Sequence, residues 1–214
     1  MDVVLRHWSA FTDGMTTTLE LTALSFAGAL LIGIVVAAMR VSPVPVLRGV
    51  GTVYVESFQN TPLLVLLVLF VFGLPEVGVI FPLFTTAVIA IALYEAAYIA
   101  EAVRSGINTV PVGQAEAARA IGLGFGQSLR LVILPQALRA VVQPIGNILI
   151  ALTMNTSLAA AVGVVDLTAA ANRVNLLEAQ PIPVFVGAGL GYMAVCALVG
   201  LLTNLIERKV AIVR

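Results

Sequence analysis

Charge is scarce in this chain: of 214 residues only 10% are charged, and 11 basic and 11 acidic groups cancel to a formal net charge of zero. Soluble domains carry about 25% charged residues, so the chain is not composed for water. The cancelled charge also provides no basic field for nucleic acid. A lone cysteine, Cys196, excludes an internal disulfide and leaves the redox compartment unspecified. A lone histidine, His7, together with that cysteine excludes the usual His/Cys metal sites and a Cys–His nucleophile pair. The single lysine, Lys209, follows Glu207-Arg208 and precedes Val210, which is no Gly-x4-Gly-Lys-Ser/Thr phosphate loop.

Apolar residues, by contrast, make up 60% of the chain, and the mean hydropathy is +1.08. A lipid bilayer is the solvent this implies. The apolar stretches approach the roughly 20 residues that span about 30 Å of hydrocarbon. Five spans are expected, near Thr18 to Met39, Val53 to Phe72, Leu83 to Val103, Gln136 to Met154 and Val184 to Ile206, in one membrane domain over residues 1–214. Ser42-Pro43-Val44-Pro45, Gly73-Leu74-Pro75, Pro82 and Pro181-Ile182-Pro183 punctuate them. The first is too long for a signal-peptide core and lacks a small-residue cleavage site, so it is expected to be retained.

Five crossings put the termini on opposite sides. With the N-terminus outside, Arg40, Arg48, Arg104, Arg119, Arg130, Arg139, Arg208, Lys209 and Arg214 fall inside and only Arg6 and Arg173 outside. Cytoplasmic loops carry the excess of cations, so this orientation is the expected one.

Between the third and fourth spans lies a polar, helix-forming insert. Pro111 disfavours helix at Val110, and Gln114 to Ile121 are adequate helix formers, so a helix of about two turns is expected from Val112 to Gly122. Gly122, Gly124 and Gly126 then allow the chain to reverse. Ala117 and Ala118 offer little bulk to a partner surface, with Glu116 and Arg119 adding charge at its edge. An amphipathic helix lying on the membrane face is the plainer alternative.

The run Glu116-Ala117-Ala118-Arg119-Ala120-Ile121-Gly122, followed after nine residues by Val132-Ile133-Leu134-Pro135, resembles the EAA signature of permease subunits of ATP-binding-cassette importers. Val132 stands where that signature has isoleucine. Arg104-Ser105-Gly106-Ile107-Asn108, Gly113-Gln114-Ala115-Glu116, Asn60-Thr61-Pro62-Leu63-Leu64 and Asn155-Thr156-Ser157-Leu158 are similar to the polar amino-acid uptake branch, and the wording around Arg104 and Gly113 is nearest to actinobacterial glutamate uptake permeases. The resemblance implies an all-α membrane fold with a cytoplasmic coupling helix carrying Glu116, Ala117, Ala118 and Gly122. It also implies partners: cytoplasmic nucleotide-binding ATPase subunits that use ATP and Mg, a second permease subunit, identical or homologous, and an extracytoplasmic amino-acid-binding protein. The chain itself would bind no cofactor and do no covalent chemistry.

Candidate pathway residues cluster in three places. In the third span, helical spacing puts Tyr94, Tyr98 and Glu101 on one face with Glu95 beside it. A carboxylate at bilayer depth costs on the order of 2.5–3.5 kcal/mol, so both acids should face protein or water. Glu101 also lies three residues before Arg104, and a plain ion pair is the alternative there. At the second span, Glu56-Ser57-Phe58-Gln59-Asn60-Thr61-Pro62 offers Glu56 and Gln59 beside a proline that should kink the helix. Many relatives carry arginine where Gln59 stands, which leaves an acidic cargo in need of another counter-charge. After Pro144 and Gly146 have weakened the fourth span, Asn155, Thr156 and Ser157 can bind an amino acid or simply cap a helix. Asp166 is read as a helix cap. Gly28, Gly33, Gly187, Gly189 and Gly191 are read as close helix packing.

Two other classes stay open: a gradient-driven carrier using Glu95 and Glu101, for which five segments and no internal repeat are few, and a membrane scaffold whose cytoplasmic helix recruits a partner.

Overall fold

The computed structural model describes residues 2–210, and all regular structure among them is helical. Arg214, counted above among the inner cations, lies outside the described residues. A short α1 (Asp2–Arg6) leads into α2 (Trp8–Val41), followed by α3 (Pro45–Gln59), α4 (Leu63–Val68) and α5 (Leu74–Glu76). Then come α6 (Leu83–Asn108), α7 (Val112–Ala120), α8 (Phe125–Ser128), α9 (Leu134–Asn155), α10 (Leu167–Glu178) and α11 (Pro181–Val210). Four helical runs are long and apolar enough to cross a membrane, and a fifth is obtained when α3 and α4–α5 are counted as one broken span. The chain is a multi-pass membrane protein.

The second span is kinked at Pro62 as expected, but α3 and α4–α5 meet at 99° and extend beyond Val53–Phe72. The break has local causes. Pro62 has no N–H to donate, and it forces extended backbone before α4. On the other side Asn60 and Thr61 turn their side chains back onto the carbonyls of Glu56 and Ser57, finishing α3.

α2 begins ten residues before the expected Thr18, at Trp8. Its polar N-terminal turns remain helical because the hydroxyls of Thr12, Thr16 and Thr17 donate to carbonyls of the preceding turn. The fourth span also extends beyond its expectation, from Gly126 to Val162. α9 runs through Pro144 without ending there, and the helix changes character only after Asn155, where it tightens into a 3-10 turn over Thr156–Val162. Of Gly122, Gly124 and Gly126 only Gly122 has a positive φ, +87°.

Lipid tails are as apolar as leucine, so helices in a bilayer associate through close packing and not through exclusion from water. α6 is built for this: Ala87, Ala90, Ala92, Ala96, Ala97 and Ala100 are all buried. α2 lies against this stripe so closely that a Cβ on Gly33 would come within 2.7 Å of Ile99 Cγ2. Contacts Ser25–Val88, Gly28–Ala92, Gly33–Ile99 and Arg40–Glu101 rise together in number, so α2 and α6 run parallel. α9 runs antiparallel to α6, with Asn155 meeting Glu95 at one end and Val141 meeting Gly106 at the other. α11 packs antiparallel on α9, where Gly146 admits Thr203.

Gly187 and Gly191 likewise admit Val4 and Met15, but Gly189 has nothing within 4 Å of where a Cβ would be and faces open space. At the N-terminus of α10 a polar network reaching α2 and α11 ties the bundle together. Asp166 caps α10, accepting from Ala169 N at 2.9 Å and from the Tyr192 hydroxyl at 2.7 Å. The hydroxyl of Thr18 accepts the amide of Leu167. Burial pushes the Asp166 carboxyl above its ordinary value against these stabilising donors.

Candidate translocation site and coupling helix

α6 is the rigid element on which the site is assembled. Its polar stripe divides into two environments six residues apart. Glu95 is 2% exposed and accepts a 2.8 Å hydrogen bond from Asn155 Nδ2, across from the point where α9 gives way to its 3-10 turn. This contact joins two of the three expected clusters. Thr156 and Ser157, next to Asn155, spend their hydroxyls on carbonyls of their own helix, Thr153 and Met154. Asn155 is the member that reaches across.

Flanking Glu95 along α6, the Tyr94 and Tyr98 hydroxyls are 2.9 Å apart. Tyr98 and Glu101 line a cavity of about 380 Å³, together with Gln59, Ser105 and Thr109; Pro144 and Ile148 of α9 form its opposite wall. Gln59 is fixed there by an Nε2 contact to Ala97 O at 3.4 Å. Glu56, by contrast, is exposed on α3 and does not line this cavity.

Glu101 is held by two guanidinium groups. Arg104, one turn along α6, donates through Nε at 3.1 Å and through a second nitrogen, and Arg40 reaches over from the end of α2. The i to i+3 pair was legible in the sequence. Arg40 was not, because it lies 61 residues away and meets Glu101 only through the parallel packing of α2 on α6. Ser105 and Thr109 were also missed; their spacing from Glu101, at i+4 and i+8, was the available signal.

α7 occupies Val112–Ala120, close to the expected Val112–Gly122. Pro111 precedes its first residue, and Gly122 stops it: Gly122 N donates to Arg119 O and Leu123 N to Ala118 O, the paired bonds of a Schellman cap. Gly122 takes the left-handed conformation that this cap requires. Glu116, Ala117, Arg119 and Ala120 are exposed, as are Val112 and Ile121 at the two ends. Ala118 is 3% exposed and turned toward its own chain, so its small side chain serves the seating of α7 on the segment that follows.

A helical bundle of this kind, with a broken span, a polar cleft beside a buried carboxylate and a short helix projecting between two long ones, defines a membrane transport subunit. Residues 29–212 match the family described as binding-protein-dependent transport system inner membrane component, and the chain belongs to that family. It is 39% identical to the glutamate transport system permease protein GluC of Corynebacterium efficiens, over 91% of each chain. It is also 34% identical to the probable glutamine ABC transporter permease protein GlnM of Bacillus subtilis, over 98% of this chain and 97% of that one. Among solved structures, an amino acid ABC transporter crystallised with histidines superposes with a TM-score of 0.91 at 32% identity, covering 96% of both chains.

Proposed function

We propose that this chain is the permease subunit of an ATP-driven bacterial importer of polar amino acids, with glutamate the favoured cargo. It sits in the plasma membrane with five crossings and an external N-terminus, and forms the pathway with a second permease subunit, identical or homologous. Two cytoplasmic ATPase subunits bind ATP and Mg, and an external binding protein delivers the amino acid. The chain is no enzyme.

The observation that carries this reading is the parallel packing of α2 and α6 with α7 placed directly after α6. Two parallel neighbours need one return crossing between them, which α3 with α4–α5 supplies despite its bend. Every long helix end then falls on the side its cations favour, and α7 emerges among them on the cytoplasmic side. There α7 offers Glu116 and a small-residue surface to the ATPase, and its short connections to α6 and, through α8, to α9 pass the motor's closure into the helices that line the cavity. ATP binding turns an inward-open pathway outward, and hydrolysis restores it.

Cargo recognition falls to the two ends of the stripe. Glu95, with Asn155 beside it, suits an α-ammonium group. Beside the cavity that Glu101 lines, two guanidiniums share this one carboxylate, and the surplus positive charge of Arg40 and Arg104 favours a second carboxylate where Gln59 provides no charge. The names of the glutamate and glutamine relatives support the cargo class.

The test is uptake by the assembled complex in proteoliposomes. ATP-dependent uptake of glutamate, stimulated by the binding protein and lost in Glu116→Lys while membrane insertion persists, is the expected result. Uptake that follows an ion gradient without ATP would overturn the reading in favour of a carrier, and no uptake at all would favour a scaffold.

A further inference from the structure

At the opposite end of the molecule from α7, where α2 starts, Gly14 permits the closest approach of α2 to α10. A Cβ there would fall 2.8 Å from Ala170 Cβ and 2.9 Å from Asp166 O. The residues flanking this contact carry opposite charges. Asp13 precedes Gly14 on α2, and Arg173 lies one helical turn beyond Ala170 on α10. Both line one cavity of about 360 Å³, with Thr17, Ala10 and Val165 completing it. Yet the two do not pair: among the described residues neither Asp13 nor Arg173 has an ion-pair partner within 4.0 Å. Their side chains make no hydrogen bond there either, and Thr17 spends its hydroxyl proton on the Asp13 carbonyl.

Two opposite charges that share a cup without meeting select a ligand that carries the complementary pair on neighbouring atoms. A free amino acid is that ligand: its α-ammonium answers Asp13 and its α-carboxylate answers Arg173. The rest of the lining is Ala10, Ala170, Val165 and a hydroxyl, with nothing placed to read a side chain. We propose that this cup is an outer reception site for the zwitterionic backbone of amino acids in general, separate from the Glu95 and Glu101 stripe on α6 that selects among them. It rests on the importer reading above, which places this end of the molecule outside. Held there, an amino acid leaving the binding protein stays at the mouth of the pathway. Because both charges are exposed, each contributes modestly, and removing either should weaken binding about five-fold, the ratio that corresponds to roughly 1 kcal/mol.

Labelled glycine is the discriminating probe, since it carries the backbone charges and no side chain. Its equilibrium binding is measured on the complete permease–ATPase complex in lipid nanodiscs, without binding protein. Glycine binding that is competed by glutamate, is not competed by N-acetylglycine or glycinamide, and falls about five-fold in Asp13→Asn and in Arg173→Gln is the expected result. Partial recovery in the exchanged pair Asp13→Arg with Arg173→Asp, where the ligand can bind reversed, would support it further. Unchanged glycine binding in both single variants overturns the proposal, including the case in which they lose affinity for the binding protein instead, which would make the two charges a protein-docking pair. ATP-driven uptake measured on the same preparations keeps the readings apart. If wild-type uptake is present but glycine does not bind, the reception site alone fails; if wild-type ATP-driven uptake is absent, the importer reading fails.

Discussion

Replacing Glu95 with glutamine removes one negative charge and almost nothing else. The amide oxygen of E95Q can still accept from Asn155 Nδ2, now 2.8 Å from the carboxylate, so the link between α6 and α9 persists. The side chain is isosteric, and its position is 2% exposed, so no new cavity or solvated surface arises. Fold stability should therefore change by less than about 1 kcal/mol, the net worth of an ordinary hydrogen bond. An ammonium group seated against the carboxylate would instead lose a charge-assisted contact of about 1.5–3 kcal/mol, which is roughly a 10- to 150-fold loss in the specificity of uptake. The companion change Asn155→Ala acts oppositely. It keeps the charge but strips a buried carboxylate of its partner, costing about 1–3 kcal/mol of stability. The assay is ATP-driven amino-acid uptake in proteoliposomes, normalised to the amount of folded permease measured by size-exclusion chromatography in detergent. E95Q should be normal in amount and poor in uptake, and N155A reduced in amount. Uptake by E95Q within two-fold of the parent would refute the assignment, and a parallel fall of amount and uptake in E95Q would make Glu95 a packing residue.

Two further outcomes follow from contacts that hold the helices to one another. A methyl added in Gly106→Ala would sit 2.2 Å from Val141 Cγ1 at the crossing of α6 and α9, and overpacking of this sort costs about 1–3 kcal/mol, so the variant should melt lower. Gly189→Ala, with nothing within 4 Å, should melt with the parent; equal melting temperatures for both variants would contradict the crossing. On α10, the hydrogen bond from His7 and the charge of Arg6 hold the Glu178 carboxyl below its usual value, tying α1 to α10. A depressed carboxylate stabilises fully above its unfolded value and loses that contribution as pH falls through the lower folded value. Trp8 adjoins His7, so its fluorescence should shift in that acid window with a midpoint below the ordinary glutamate value. Glu178→Gln should abolish that transition, and an unaltered titration in the variant would show that the tie is absent.

Periodicity and punctuation carried most of the architecture. Proline at positions 45, 62, 82 and 111 starts α3, α4, α6 and α7 as its chemistry dictates, and the number of apolar stretches agrees with four helices plus a broken one. What hydropathy could not convey was direction. Pro62 announced a kink in the second span, but a turn leaves composition unchanged, so its 99° angle and the start of α3 at Pro45, ahead of Val53, were not legible. The polar N-terminal turns of α2 were likewise invisible as helix, since their threonines count against a span on any hydropathy scale while satisfying their hydroxyls within it. Pro144 misled in the other direction: exposed on the cavity wall, it leaves α9 continuous to Asn155.

The same distinction explains why the stripe on α6 looked like one site and is two. Helical spacing groups Tyr94, Tyr98 and Glu101 by angle, and that grouping survives in a hydroxyl contact and a shared cavity. It cannot reveal which acid already has its counter-charge, because that depends on elements far along the chain. Glu101 receives two guanidiniums, one of them from α2, and has no unmet demand for a cation. Glu95 receives one neutral amide and is the more deeply enclosed of the two. A carboxylate placed in a low-dielectric interior needs a cation or a proton to be tolerated. Since no described basic residue pairs with Glu95, it is satisfied either by a proton or by a cation from outside the chain, and the E95Q uptake assay distinguishes a group that meets an amino acid's ammonium from one that is simply protonated.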